Sequence, residues 1–277
     1  MVSDEGFVCE FDETVENKRL AGQHQIVKFG MGRLVLAPLD ITRKGLRILD
    51  AATSDGYWLE EFASSLLHPE TCDLIGTDIT SNRFPKEPKG MRLVVQSSLG
   101  PFPESWTQSF DLVHQRFVLT GLPEGRRCVF ALLSLVKPGG WVQLVEIEDN
   151  SGEPNGPQMT RLIAIQRMFA LRMGSDLSFR NGGLESWLKE AGFIRVGTML
   201  APISLGAECP DPDLREQTVK AFCFTAIQFL QFHNRHNKES NTSDSTEVDD
   251  FIPLLADELR ERGAYQRLRV VWAQRPL

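Results

Sequence analysis

Two carboxylates, Asp50 and Asp78, stand 28 positions apart, and each closes a short apolar run, Leu46–Asp50 and Cys72–Asp78. After the first come small residues at alternate positions, Ala52, Ser54 and Gly56, and then an amphipathic pattern opened by Tyr57 and Trp58. A strand that delivers a helix N-terminus through a turn poor in side chains brings backbone N–H groups close to a ligand. An acid at the end of the next strand accepts hydrogen bonds from two vicinal hydroxyls, as the acid about 20 residues past the turn does for ribose in dinucleotide-binding folds. The pattern points to a nucleotide-like ligand. A dinucleotide fingerprint needs a small residue at position 57, where this chain has Tyr57, so a nicotinamide cofactor fits badly.

Further chemistry-bearing residues follow the later apolar runs. Gln96 and Ser97 succeed Arg92–Val95, at a strand edge where a base could be read, and Gln115 and Arg116 succeed Phe110–His114. A histidine of near-neutral pKa suits removal of a hydroxyl or amide proton. His114 is the best placed of five for that task; positioning a cofactor or holding Arg116 are its other readings. His24 falls on the helical stripe Leu20, His24, Val27, Met31, which suits a core or lid histidine, while His68, His233 and His236 read as surface residues. Asp55 is placed to cap the helix after the turn. Glu146 faces either a pocket or Arg116. No His or acid pair has metal-ligand spacing, so no metal is expected.

These residues need a scaffold that brings strand ends together. Strand and helix patterns alternate up to Trp141–Glu146, as in βαβ units of a parallel sheet, and Lys137–Gly140 reads as a helix stop before that last strand. Beyond it, Ser151–Pro157 reads as a loop, 158–173 as a helix carrying Leu162, Ile165, Met168 or Phe169, and Arg172, and Leu184–Ala191 as another helix stopped by Gly192. Strands are expected near Ile194–Leu200 and Gln266–Trp272. Between them Leu214–His233 reads as a long helix rich in Phe222, Phe224, Phe229 and Phe232, which either roofs a pocket or packs on the sheet or a second subunit. The polar, acidic stretch 238–250 reads as a surface loop.

Taken together, Ala52–Leu59, Gly76–Ile79, Phe110–Arg116 and Trp141–Glu146 after Pro-Gly-Gly closely resemble the fungal class I S-adenosylmethionine-dependent methyltransferases of secondary-metabolite gene clusters. The gliotoxin-type N-methyltransferase is one member the chain is similar to, and the likeness covers nearly the whole sequence. The resemblance implies a Rossmann-like α/β fold: a seven-stranded, mostly parallel sheet with an antiparallel C-terminal strand, an N-terminal lid helix and an inserted helical cap. It divides one methyltransferase domain, 1–277, into a lid (1–40), a cofactor-binding core (41–150) and substrate-cap helices with C-terminal strands (151–277). S-adenosylmethionine is then the cofactor, held by Arg19, Gln23 and His24 of the lid, by Asp50, Ala52, Ser54 and Gly56, by Asp78 and Ile79, and by Gln96, Ser97, His114 and Gln115. His114 is the catalytic candidate, and Arg116, Glu146, Arg167, Met168 and Arg172 would meet the acceptor, a small secondary-metabolite intermediate methylated on N, O or S. Two other classes fit the same fold: cofactor-assisted cyclisation or dehydration without methyl transfer, and a regulatory interaction protein. The family usually carries glycine where this chain has Ala52 and Ser54; alanine is strain-free there only at negative φ, and positive φ costs about 1–2 kcal/mol.

Composition narrows the setting. With 42% hydrophobic and 24% charged residues the 277-residue chain is globular. A net charge of −7 without a basic run argues against nucleic acid. No signal-peptide pattern or long apolar run is present, so a cytoplasmic enzyme without membrane contact, monomer or homodimer, is expected. Five cysteines, an odd number without C-x-x-C spacing, read as buried free thiols.

Overall fold

Apolar runs that end in acids become the parallel half of one sheet. In the structure, a computed structural model that describes residues 2–3, 6–7, 13–149, 152–236 and 245–277, these are β1 (Arg47–Ala51), β2 (Asp73–Asp78), β3 (Arg92–Val95), β4 (Phe110–Arg116) and β5 (Val136–Ile147). They pair in parallel in the order β3-β2-β1-β4-β5. Ile48 and Leu49 on β1 are both fully buried, because helices cover both faces. Two strands complete the seven. β6 (Ile194–Leu205) is the edge, and β7 (Ala264–Gln274) lies antiparallel between it and β5, as the resemblance implied.

Seven helices are described: α1 (Glu13–Met31), α2 (Tyr57–Ala63), α3 (Gly125–Leu133), α4 (Pro157–Arg172), α5 (Gly183–Glu190), α6 (Pro212–His236) and α7 (Ser245–Glu261). α2 covers one face of the parallel half through Trp58, Leu59 and Phe62, and α3 and α5 cover the other through Cys128, Leu132 and Leu188. α1, α4, α6 and α7 form an apolar layer over β6 and β7, built on residues such as Ile26, Leu162, Leu230 and Phe251.

Two expectations are corrected. Lys137–Gly140 does not stop a helix; α3 already ends at Leu133, and the Pro-Gly-Gly segment lies inside β5. There Gly139 takes a φ of 74°, and a Cβ on Gly140 would lie 2.7 Å from the Phe110 carbonyl oxygen, so the glycines let β5 enter close against β4. Nor is 238–250 a loop throughout: α7 begins at Ser245, its buried Phe251, Leu255 and Leu259 drawing the preceding polar residues into the helix. Residues 237–244 and Cys9 lie outside the described residues, as do the side chains of His233 and His236. Cys72, Cys128, Cys209 and Cys223 are free thiols. Among the described residues no helix is long and apolar enough to cross a membrane.

One transverse row of the sheet positions the chemistry. Asp50 is in register with Gly76 on β2 and His114 on β4, and His114 with Gln143 on β5. Residues in register share a face, so Asp50, His114 and Gln143 stand side by side beneath α2. The bare backbone of Gly76 leaves room for Thr53, whose methyl would lie 2.8 Å from a Cβ there.

Candidate active site

The turn after β1 carries more strain than its sequence requires. Ala52, Ser54 and Gly56 all adopt positive φ, 58°, 59° and 80°. For alanine and serine this is the costly case, about 1–2 kcal/mol each. Hydrogen bonds hold the turn: Thr53 N–H donates to the Thr77 carbonyl at 2.7 Å and Ser54 N–H to Asp78 Oδ2 at 2.9 Å. The cap position of α2 is Gly56, and Asp55, one residue before it, accepts from the Tyr57 N–H at 3.1 Å, so it satisfies the helix's first donor from outside the expected cap position.

Beneath the turn lies a buried dyad. Asp50 Oδ1 is 2.7 Å from His114 Nδ1, Asp50 Oδ2 accepts from the Thr53 hydroxyl at 2.6 Å, and the imidazole stacks on Trp58 with centroids 3.7 Å apart. A carboxylate that only accepts places the ring hydrogen on Nδ1 and leaves Nε2 with its lone pair. Nε2 is buried and has no hydrogen-bond partner in the protein. Burial pushes the His114 imidazole below its ordinary value, against the opposing pull of Asp50, so the ring is neutral.

Above the dyad opens a cleft of about 350 Å³, walled by the strand ends, α1 and α6. Glu16 of α1 is buried and accepts from Arg19 Nε and NH2, both at 2.8 Å, and from Gln228 Nε2 of α6 at 2.8 Å. Arg83 lies 3.8 Å from Glu16 and donates to Ser54 Oγ at 3.3 Å, which links lid, cap and turn. His24 Nε2 is 2.7 Å from Glu61 Oε2, and its Nδ1 is 3.4 Å from an Arg116 nitrogen. Burial, helped by Arg116 and opposed by Glu61, brings the His24 pKa down to about 4. Gln143 anchors the segment after α1, accepting from Leu36 N–H at 2.6 Å and donating to the Leu34 carbonyl at 2.9 Å.

A family model described as a methyltransferase domain matches residues 23–196, more than half of the chain. The chain belongs to that family. The N-methyltransferase gliN of Aspergillus fumigatus is 35% identical over 289 residues, 99% of this chain and 98% of that one. The N-methyltransferase sirN of Leptosphaeria maculans is 36% identical over 281 residues, 99% and 96% of the two chains. Among solved structures, phosphoethanolamine N-methyltransferase 2 of Haemonchus contortus, in complex with phosphomonomethylethanolamine and S-adenosylhomocysteine, superposes with a TM-score of 0.53. It is 16% identical, and the match covers 94% of this chain but 53% of that one, so the likeness is one of fold and the chain spans about half that protein's length. The same enzyme with S-adenosyl-L-methionine gives a TM-score of 0.51.

This methyltransferase is therefore an S-adenosylmethionine-dependent enzyme. Its cleft has donors and acceptors suited to that molecule: carboxylates for hydroxyls and an ammonium, exposed turn backbone, and a guanidinium. Arg19, Gln23 and His24 border it from the lid, and Asp50, Ala52, Ser54 and His114 from the floor. Asp78, Ile79, Ser97 and Arg116 complete the predicted residues that it gathers.

Seven predicted residues lie elsewhere. Gly56 packs under Met91 and Leu93, where an added Cβ would meet the Met91 sulfur at 3.1 Å. Gln96 turns its amide to the carbonyls of Ser97 and Pro101, both at 3.1 Å. Gln115 points to the α3 side of the sheet and donates to Cys128 Sγ at 3.3 Å, because neighbours along a strand face opposite ways. Glu146 meets neither the cleft nor Arg116; its Oε1 accepts from Val118 and Leu119 N–H at 2.8 and 2.9 Å, and burial pushes its pKa up to about 7. Arg167, Met168 and Arg172 are on the exposed side of α4, whose buried side carries Leu162, Ile165 and Phe169.

Sequence reasoning missed Glu16, Trp58, Arg83, Thr225 and Gln228. The i, i+3 spacing of Glu16 and Arg19 was a usable signal; Gln228 reaches Glu16 across 212 positions and had none. On the aromatic helix, Phe229 borders the cleft, while Phe232 packs not on the sheet but edge-on against Phe169 of α4, with centroids 4.8 Å apart.

Proposed function

We propose that this methyltransferase acts on a nitrogen of a small secondary-metabolite intermediate. The observation that carries the nitrogen is the end-to-end likeness to gliN and sirN, to which tcpN of Claviceps purpurea adds a third named N-methyltransferase, 34% identical over 259 residues. When bound, S-adenosylmethionine supplies a methyl group already activated by its sulfonium. In this reading Asp78 and Ile79 take the ribose, Ser97 the base, and the Ala52–Ser54 backbone and Asp50 the amino-acid end. Arg19, Gln23 and His24 close over the cofactor, and the Glu16 contacts hold that closure and exclude water.

His114 serves as the base. Its neutral ring offers Nε2 to the acceptor's N–H proton, and Asp50, already on Nδ1–H, stabilises the imidazolium that results. Incubation with S-adenosylmethionine and a panel of cyclic dipeptides, amines, phenols and thiols, read by mass spectrometry and NMR, tests the proposal. A methyl on nitrogen is expected, with kcat lowered about a hundredfold in His114→Gln. Transfer confined to oxygen or sulfur would refute the nitrogen assignment.

A further inference from the structure

Three guanidinium groups border the cleft. Arg19 is held on two nitrogens by Glu16, and Arg83 lies near the same carboxylate. Arg116, at the end of β4, has no carboxylate in salt-bridge contact among the described residues. Its contacts are His24 Nδ1 at 3.4 Å and the edge of reach of the Phe117 ring, 5.8 Å to the centroid. A guanidinium has five N–H donors in a fork matched to a carboxylate, and this one spends a single long contact on a neutral ring. Burial and the like charge of Arg19 depress its pKa, against Asp50, Asp55 and Glu61. A largely desolvated cation so poorly partnered is suited to receive an anion.

We infer that Arg116 binds the α-carboxylate at the amino-acid end of the cofactor, instead of the acceptor; this rests on the S-adenosylmethionine-dependent reading above. The neighbours of Arg116 decide between the two. Asp50 and Asp55 of the turn line the cleft together with Arg116, whereas Glu61 on α2 is paired with His24 and Lys28. A zwitterion satisfies both signs at once, its carboxylate on Arg116 and its ammonium toward the acids. An anionic acceptor would satisfy Arg116 alone and be repelled by the two carboxylates of the turn. Asp78, at the end of β2, accepts from Ser54 N–H and is left as the partner for the cofactor's hydroxyls. The contact to His24 also ties the receptor to the lid helix, so carboxylate binding and lid placement share one residue.

Calorimetry on the full chain with two probes isolates the carboxylate: S-adenosylhomocysteine, and its decarboxylated analogue, which lacks that group alone. Wild type is expected to prefer S-adenosylhomocysteine by about ten- to a hundredfold, as for one charge-assisted contact. Arg116→Gln should bind the two within about twofold of each other, and Arg116→Lys should regain part of the preference. Because the analogue reports an intact site, general damage would weaken both ligands and preserve their ratio, which would overturn the assignment. Equal affinities in wild type would also overturn it. Wild-type protein that binds neither probe would refute the cofactor reading itself.

Discussion

On the floor of the cleft, Asp50 and His114 sit in register on adjacent strands, nearly without exposure, with Thr53 and Trp58 packed on them. Over it, α1 reaches its neighbours through side-chain charges: Glu16 with Arg19 and Gln228, and His24 and Lys28 with Glu61. The floor cannot move without breaking sheet hydrogen bonds. The lid can, because its pairs reach water at Glu61 and Lys28, whose side chains are 22% and 43% exposed. The later half of α1 is fixed by apolar packing, at Ile26, Val27 and Met31, and by the approach of Gly30 to β6, where a Cβ would lie 2.6 Å from the Pro202 carbonyl oxygen. The floor is thus held by the sheet and its buried contacts, and the described contacts of α1 around the cleft are polar.

The largest test of that contrast uses pH. Glu146, which holds the turn after β4, has its pKa raised by burial from an ordinary 4.5 to about 7. The folded protein keeps a proton that the unfolded chain releases, so this stabilisation is full below pH 4.5 and lost as pH rises through 7, on the order of 2–3 kcal/mol. In Glu146→Gln, Oε1 still accepts from Val118 and Leu119 and the titration is gone. Its Tm relative to wild type should climb between pH 5 and pH 8; parallel pH curves would contradict the titration of Glu146 under the turn after β4. His24 runs the opposite way in the lid: a pKa lowered from 6.5 to about 4 gives stability that is present above pH 6.5 and lost as pH falls through 4.

A smaller effect should separate lid from floor directly. In Glu16→Gln the charge on Arg19 loses its partner, and local opening caps the cost by returning that arginine to water. Amide exchange in the first half of α1 should quicken about tenfold while β1 and β4 keep their protection. Equal loss of protection in both would show that they open as one unit. Smallest is Ala52→Gly. Relief of a left-handed alanine, less the greater unfolded-state entropy of glycine, leaves a gain of about 0.5 kcal/mol in denaturant unfolding. A loss instead would mean that the Ala52 methyl packs usefully in the floor.

The floor was more legible in the sequence than the lid for a physical reason. Its acids close apolar strands and its turn is written in consecutive residues, so Asp50, Asp78 and His114 stand out locally. Gln115 could have been set aside by strand alternation, since His114 and Arg116 share the face it leaves. The side of α4 that turns inward follows from its partners α6 and α7, and Met168 against Phe169 could not be decided from spacing that suits either. Glu146, an acid ending a strand like Asp50, turned out to serve backbone amides instead of the cleft.

The amino-acid sequence by itself determined the alternation of strands and helices and the cofactor turn, which follow from periodicity and from neighbours along the chain that short-range sterics and burial fix. The reversed last strand and the family were legible only through the resemblance of its motifs to known methyltransferases. Tertiary structure alone decided the positive φ of Ala52 and Ser54, the Asp50–His114 dyad across two strands, the Glu16–Gln228 bond and the thinly partnered Arg116. Each depends on register or on helix docking, and the energy of a contact exists only once both partners have been brought to the same place.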